Sequence, residues 1–371
     1  LGKAQNGKNG SKMKIKYIGN FRDGTEWAKS CTYNALALHY AGYDVYCQVA
    51  SYNNQNIVIE NEIEELISKE CSEFDVVIQH VLPSDYKYYG GIKNIGFFEI
   101  DTLTLSDVVW IKNLNMMDHV FVPNHASQKT LGLYNIKSTI FPYTFNFDNI
   151  NEQEPIAKVE ELNNSFNFCF EGDFSKRKNL ETVLRAFHGE FDFLEPVNLL
   201  IKINEGTVEQ VSSLSDQIKG NLKKTNRYKK ESVISNSLPS EVEISILKQC
   251  HCFIMPSYGD SWCYPAIQAL AAGIPLVYTK GTGIDEYSEG AAIAVASKPV
   301  FCYGAKDTLQ GLATCEDVWL EIDIMELQSS MRKMFETYAM ENENYQTISK
   351  QCIDNASKFN YKNCEFIKGI I

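Results

Sequence analysis

No run in this 371-residue sequence approaches the roughly 18 consecutive apolar residues of a membrane span, and no signal peptide opens it. Stable insertion into a bilayer is therefore not expected. Cys-x-x-Cys pairs are absent; the eleven cysteines are odd in number and sparse, and the closest two, Cys250 and Cys252, straddle His251 in an apolar run. This usage argues against a disulfide framework and for a reduced, cytoplasmic setting in which most thiols act as small buried hydrophobes. No Gly-x-Gly-x-x-Gly follows the first strand-like run, which disfavours a dinucleotide dehydrogenase. No Asp-x-Asp pair stands at a strand end, so no metal cofactor is predicted. Positive charge is in deficit: 35 Lys and Arg against 47 Asp and Glu give a formal net charge of −12. That balance disfavours a general nucleic-acid coat or a broad basic face for membranes. Against these absences stand 44% apolar and 12% aromatic residues, enough to offset the entropy of ordering the chain. The length suffices for about two domains, each with its own core.

Residues 1–12 (LGKAQNGKNGSK) lack periodicity and read as a disordered lead or an expression remnant. From Met13 short apolar runs alternate with amphipathic stretches. Lys14 to Gly19, Val45 to Val49, Phe74 to Ile78 and His119 to Val122 read as strands, with helices at Ala28 to Ala41, Ile63 to Lys69 and Trp110 to Met117. After an Asn/Glu-rich passage the series restarts, with strands at Phe166, Asn198, Val233 and Cys252 and helices opening at Leu180, Val208 and Glu241. Alternation of this kind predicts two Rossmann-like, doubly wound α/β domains, 13–150 and 151–345. Residues 346–371 are expected to form a C-terminal helix packing back on the first. Ligands of such sheets sit beyond the carboxyl ends of the strands, so two facing domains would frame a cleft.

The unit CFIMPSYGDSWCYPAIQALAA (Cys252 to Ala272) carries the clearest chemistry. A strand ends at Pro256, a loop holds Gly259 and Asp260, Pro265 suits the first turn of a helix, and Gly273-Ile274-Pro275 stops it. Free amides at that helix start favour an anion such as a diphosphate. Asp260 and Gln268, eight residues apart, can both face a ligand there. The plainer alternative is an ordinary loop with a capping Asp and a surface Gln.

This block resembles the nucleotide-sugar signature of glycosyltransferase family 4, enzymes of the two-domain GT-B fold, where Glu-Gly-Phe-Gly-x-Pro-x-x-Glu precedes Ala-x-Ala-x-Gly-x-Pro. Here the matching residues are Asp260-Ser261-Trp262-Cys263-Tyr264-Pro265-Ala266-Ile267-Gln268, then Ala269, Ala271, Gly273 and Pro275. Gly172-Asp173-Phe174-Ser175-Lys176-Arg177-Lys178-Asn179 is similar to the family's Gly-Arg-x4-Lys segment. Asp23-Gly24-Thr25-Glu26-Trp27-Ala28, Glu99-Ile100-Asp101 and Val122-Pro123-Asn124 look like further segments of a subgroup, in register over most of 13–371.

The resemblance implies a retaining hexosyltransferase that uses a nucleotide diphosphate sugar as co-substrate and a carbohydrate hydroxyl as acceptor. It gives Asp260 the donor sugar, Gln268 the ribose hydroxyls, and Ser261, Trp262, Cys263 and Tyr264 the donor-binding turn. Lys178 matches the Lys that neutralises the leaving diphosphate. The family's Arg position is Asp173, the wrong charge, and Arg177 is the candidate substitute. Cys263 replaces a glycine and Gln268 a glutamate. These departures keep a second reading open, a catalytically silent nucleotide-sugar-binding protein.

For the first domain, Gly24 permits close approach of a donor to the first loop, and Thr25 and Trp27 can line a sugar pocket. His80, ending a buried strand, reads either as a catalytic imidazole at the cleft or as a satisfied core histidine. Glu99 and Asp101 stand at the next strand end as acceptor residues, or as loop anchors. Tyr86, Tyr88 and Tyr89 beside Gly90-Gly91 suggest a stacking platform. Residues 13–150 hold ten Lys and Arg against sixteen Asp and Glu, which disfavours docking on anionic lipid. A basic run, Lys219, Lys223, Lys224, Arg227, Lys229 and Lys230 with Tyr228, reads as a solvated loop. Its sharper reading is contact with a polyanion, which admits a third alternative, transfer to a hydroxylated base in DNA.

Overall fold

The fold follows from strands too short and apolar to stand alone, most of them joined by helices that bury a face against the sheets. A computed structural model describes residues 12–50, 59–156, 158–222, 228–236, 238–304 and 313–371. Two compact units emerge. The first comprises residues 1–100, 104–147 and 358–371, and the second comprises 101–103 and 148–357.

In the first unit the elements run β1 (Lys14–Gly19), α1 (Glu26–Tyr40), β2 (Asp44–Val49), α2 (Asn61–Ser68), β3 (Val76–His80), β4 (Lys93–Phe97), α3 (Val108–Met116), β5 (His119–Val122), α4 (His125–Gly132) and β6 (Ser138–Ile140). The strands form one parallel sheet in the order β2-β1-β3-β4-β5-β6. β3 is buried at all five positions, as expected for the interior of a sheet covered on both faces. Side-chain caps start the helices: Thr25 for α1, Asp107 for α3 and Asn124 for α4 each accept a backbone N–H of the first turn. One core joins Ile18, Val77, Val120 and Val122 of the sheet to Trp110 and Leu114 of α3 and Leu131 of α4.

A short helix, α5 (Phe147–Asn151), spans the boundary. The second unit then runs β7 (Phe166–Gly172), α6 (Leu180–Glu190), β8 (Val197–Ile203), α7 (Val208–Leu222), β9 (Ser232–Ile234), α8 (Ser240–Leu247), β10 (Cys252–Met255), α9 (Tyr264–Ala271), β11 (Leu276–Thr279), β12 (Ala292–Val295), β13 (Ser297–Phe301), β14 (Val318–Ile322), α10 (Ile324–Met340) and α11 (Asn342–Ser357). Its main sheet is parallel, in the order β12-β11-β10-β7-β8-β9, and β13 and β14 pair separately as an antiparallel ribbon. Phe166, Phe168 and Phe170 of the first strand are wholly buried, and Leu327, Met331 and Met334 of α10 are buried on the helix that contacts α6.

The closing segment departs from the single helix expected over 346–371. The helix ends at Ser357 within the second unit, and 358–371 belong to the first unit with one turn of 3-10 helix at Glu365–Ile367. The tail is held by main-chain bonds: Phe145 N donates to Phe359 O and Tyr361 N to Phe145 O, both at 3.1 Å. α4, β6, β11, β12 and the β13–β14 ribbon are additions to the sequence reading; α4 (HASQKTLG) and β6 (STI) have too few apolar residues to mark them, and β11, β12 and β14 are apolar runs of only four or five residues. Residues 1–11 of the expected lead, and Lys223, Lys224 and Arg227 of the basic run, lie outside the described residues.

Candidate functional site

Strand order locates the site of the second unit. β7, β8 and β9 succeed one another toward one edge and β10, β11 and β12 toward the other, so the topology reverses between β7 and β10. A crevice opens beyond the carboxyl ends at such a switch point. The two loops there are 173–179 after β7 and 256–263 after β10, which hold the two strongest sequence motifs.

The loops interlock. Tyr258 N donates to Arg177 O at 2.8 Å, Asn179 Nδ2 to Pro256 O at 2.9 Å and Arg177 Nη1 to Gly259 O at 3.0 Å. Lys178 Nζ lies 2.7 Å from Asp260 Oδ2, and Arg177 Nη1 lies 3.5 Å from the same oxygen and 3.4 Å from Asp101 Oδ2. Gly172 leaves room for the lysine stem, since a Cβ there would come within 3.1 Å of Lys178 Cγ. Burial alone would raise the Asp260 carboxyl. Lys178 and then Arg177 outweigh it and hold the group below its ordinary value.

Two residues of this site adopt the left-handed backbone. Asn179, with φ 62°, is a residue type that tolerates it; Cys263, with φ 68°, is not. Cys263 is the N-cap of α9 and holds this backbone although it carries a side chain. Tyr287 Oη stabilises the turn from below, donating to Trp262 O at 2.6 Å with Cys263 O at 3.1 Å.

Trp262, Cys263 and Tyr264 are at most 2% exposed. Their side chains support the turn from within the core. Ser261 is also buried, and its N–H donates to Asp101 Oδ1 at 2.6 Å. Gln268 is half-buried one turn into α9. Asp173 is engaged locally, accepting from Ser175 Oγ at 2.8 Å. Ser257, beside this group at the end of β10, is wholly buried, and its Oγ has no hydrogen-bond partner among the described residues. Sequence reasoning passed over Ser257 and Asn179, which carry no charge and match no motif.

In the first unit the order reverses between β1 and β3, and the loop after β1 holds the expected Gly24-Thr25 pair. Gly24 has φ 73° and is exposed. Asp23 Oδ1 accepts from Thr25 N at 2.9 Å and Thr25 Oγ1 at 2.6 Å, and Asn20 donates to the other oxygen. Trp27 is half-buried and its ring stands edge-on to His80 at 6.4 Å. His80 is 1% exposed, stacks on Phe97 at 4.2 Å, and engages Tyr17 Oη at Nδ1 (2.8 Å) and Tyr143 Oη at Nε2 (3.4 Å). Of its two readings the geometry is that of the core histidine; burial depresses its pKa to about 3, so it is neutral. Glu99 is half-buried in this unit, but Asp101, expected beside it, belongs to the second. The tyrosine platform divides: Tyr86 is buried, donating to Phe97 O at 2.9 Å, Tyr88 is exposed, and Tyr89 lies under Lys16 Nζ at 5.5 Å.

Two members of the basic run are structural: Lys219 Nζ pairs with Glu231 Oε2 at 2.9 Å and Tyr228 Oη donates to Lys219 O at 2.9 Å. Among the described residues no group of three or more His, Cys, Asp or Glu is placed to hold a metal ion, and no helix is long and apolar enough to cross a membrane.

Residues 151–299 match the family model of the group 1 glycosyl transferases. That stretch lies within the second unit and contains both charged loops. No curated protein matches the sequence. Among solved structures the chain is similar to the N-terminal domain of Candida albicans trehalose-6-phosphate phosphatase (TM-score 0.65, 10% identity, 98% of this chain and 97% of that one). It is likewise similar to sucrose-phosphate synthase from Thermosynechococcus elongatus (0.62, 13%, 96% and 96%). HepE from Anabaena in complex with UDP-glucose gives 0.60 at 13% identity over 94% and 96%. The fold is GT-B.

Proposed function

We propose that this protein is a glycosyltransferase that binds a nucleotide diphosphate sugar on its second unit and transfers a hexose, with retention of configuration, to a carbohydrate hydroxyl. The observation that carries the reading is the meeting of Lys178, Arg177 and Asp260 at the β7/β10 switch point, inside the stretch that matches the group 1 model. HepE, a structural neighbour, was solved with UDP-glucose, which is consistent with such a donor. Assignment to family 4 within that group is part of the proposal.

Lys178 and Arg177 neutralise charge gathering on the leaving diphosphate as the glycosidic bond breaks. The loop amides add fixed dipoles. Asp260 accepts from a sugar hydroxyl, and the Gln268 amide oxygen from a ribose hydroxyl. Attack on the face from which the diphosphate departs requires positioning of the acceptor and no protein nucleophile. A reducing, cytoplasmic location is supported by eleven cysteines that are all free.

The test is a panel of UDP-, GDP- and ADP-sugars read by released nucleotide, alongside calorimetric titration. Turnover of one donor, reduced at least about 100-fold in Lys178→Ala, is expected. Binding of none of them would end the reading. The silent-binding alternative draws on one specific observation, that both cations of the site are already paired with carboxylates. Donor hydrolysis that vanishes in Lys178→Ala would reject it.

A further inference from the structure

Asp101 is tied to the donor-side loop at several points. Its Oδ1 accepts from Ser261 N at 2.6 Å, its Oδ2 lies 3.4 Å from Arg177 Nη1, and two residues on Leu103 N donates to Val318 O at 2.6 Å. Its carbonyl oxygen occupies the space above Gly259, where a Cβ would lie 1.7 Å away, so the seat exists only because residue 259 is glycine. The Asp101 and Arg177 side chains are 22% and 13% exposed, and the contact is largely withdrawn from water.

A carboxylate that holds a guanidinium and a loop amide ahead of a helix start has the surroundings of a phosphate oxygen. Two cations, Arg177 and Lys178, face two carboxylates, Asp101 and Asp260, so the group has no net charge to offer a diphosphate. Keeping a bond to the loop does not require the charge, because an asparagine oxygen also accepts from Ser261 N.

We propose that Asp101 is an internal anion seated in the phosphate position of the second unit, and that a nucleoside diphosphate binds by displacing it from Arg177 and Ser261. This inference rests on the donor-site reading given above. A phosphate oxygen and the Asp101 carboxylate at one guanidinium repel each other strongly at such distances. Asp101 thereby sets donor affinity.

The experiment is calorimetric titration of the full chain with inorganic pyrophosphate and with UDP, comparing wild type, Asp101→Asn and Asp101→Ser. Thermal melts of each protein verify folding, and the asparagine variant keeps the bond to Ser261. Both substitutions are expected to tighten pyrophosphate by at least about tenfold, because a like charge is removed from the site. Binding by the variants alone gives the same support. Affinity equal to or weaker than wild type in both folded variants overturns the inference and leaves the donor site standing. Failure of all three proteins to bind either probe overturns both readings.

Discussion

The ammonium of Lys178 and the carboxylate of Asp260 form a 2.7 Å ion pair in which each side chain is only 5% exposed. Pairs withdrawn this far from water are costly to break from one side, since the survivor stays buried after losing its nearest counter-charge. Asp260→Ala is expected to cost about 3–5 kcal/mol of folding free energy, and Lys178→Met less, because Arg177 Nη1 stays 3.5 Å from the Asp260 carboxylate. The double substitution should recover much of that loss. Urea denaturation of the two single variants and the double variant measures it, and a loss near zero in both singles would mean the pair is open in solution.

Cys263 holds a left-handed backbone that glycine adopts without steric cost. Relief of that strain, about 1–2 kcal/mol, offsets most of what removal of the small thiol costs. Cys263→Gly is therefore expected to change stability by less than about 1 kcal/mol. Cys263→Val, closer in volume but β-branched, is expected to lose at least about 2 kcal/mol. If the valine variant proves the more stable of the two, the turn is not strained.

His80 makes the first unit sensitive to acid. Its folded pKa of about 3 lies below the ordinary value of 6.5, so between those limits the unfolded chain takes up a proton that the folded chain refuses. Stability contributed by neutral His80 is complete above pH about 6.5 and is lost as pH falls toward 3, by up to about 1.4 kcal/mol per pH unit. His80→Gln should flatten the pH dependence of stability by that slope. His251, whose pKa is also lowered by burial, retains its own share in the variant.

Gly259→Ala places a methyl on the Asp101 carbonyl. Backbone cannot yield as a flexible side chain does, so the 101–103 segment must shift. Amide exchange at Leu103 and Ser261 should accelerate together, as read by mass spectrometry. Protection of both at the wild-type level would show that the loop accommodates the methyl elsewhere.

Thiol chemistry checks the burial pattern. Cys315 is exposed and Cys71 half-buried, while the other nine cysteines are buried. A colorimetric thiol reagent is expected to titrate Cys315 promptly and Cys71 more slowly, with the remainder reacting after denaturation.

Sheet and helix placement was legible where an apolar run met a turn signal. β1, β5, β7 and β10 match their sequence readings within a residue or so, since continuous apolar runs bounded by Gly, Asn or Pro admit few other fates. The meeting of the 173–179 and 256–263 loops was legible because Lys178 and Asp260 stand in motifs with fixed distances to a strand and a helix. Three things were hidden. The membership of Asp101 depends on a tertiary contact with Gly259, far away in sequence. The neutrality of the charged group depends on which cation meets which carboxylate, which spacing does not encode. His80 sits at a strand end in sequence, but the aromatic shell of Tyr17, Phe97 and Tyr143 that encloses it comes from other strands and from the segment after β6.

The tail contact at Phe145 bears on biosynthesis. Residues 358–371 complete the first unit, with Phe359, Tyr361 and Ile367 buried in it. A ribosome releases those residues only after the entire second unit has emerged. The first unit is thus finished only after the second has been made, and during that interval Phe145 lacks the partners that residues 359 and 361 give its amide and carbonyl. Nascent chains stalled before Phe359 are expected to recruit chaperones to the amino-terminal half, and a stop codon at 358 should compromise the half encoded farthest from it.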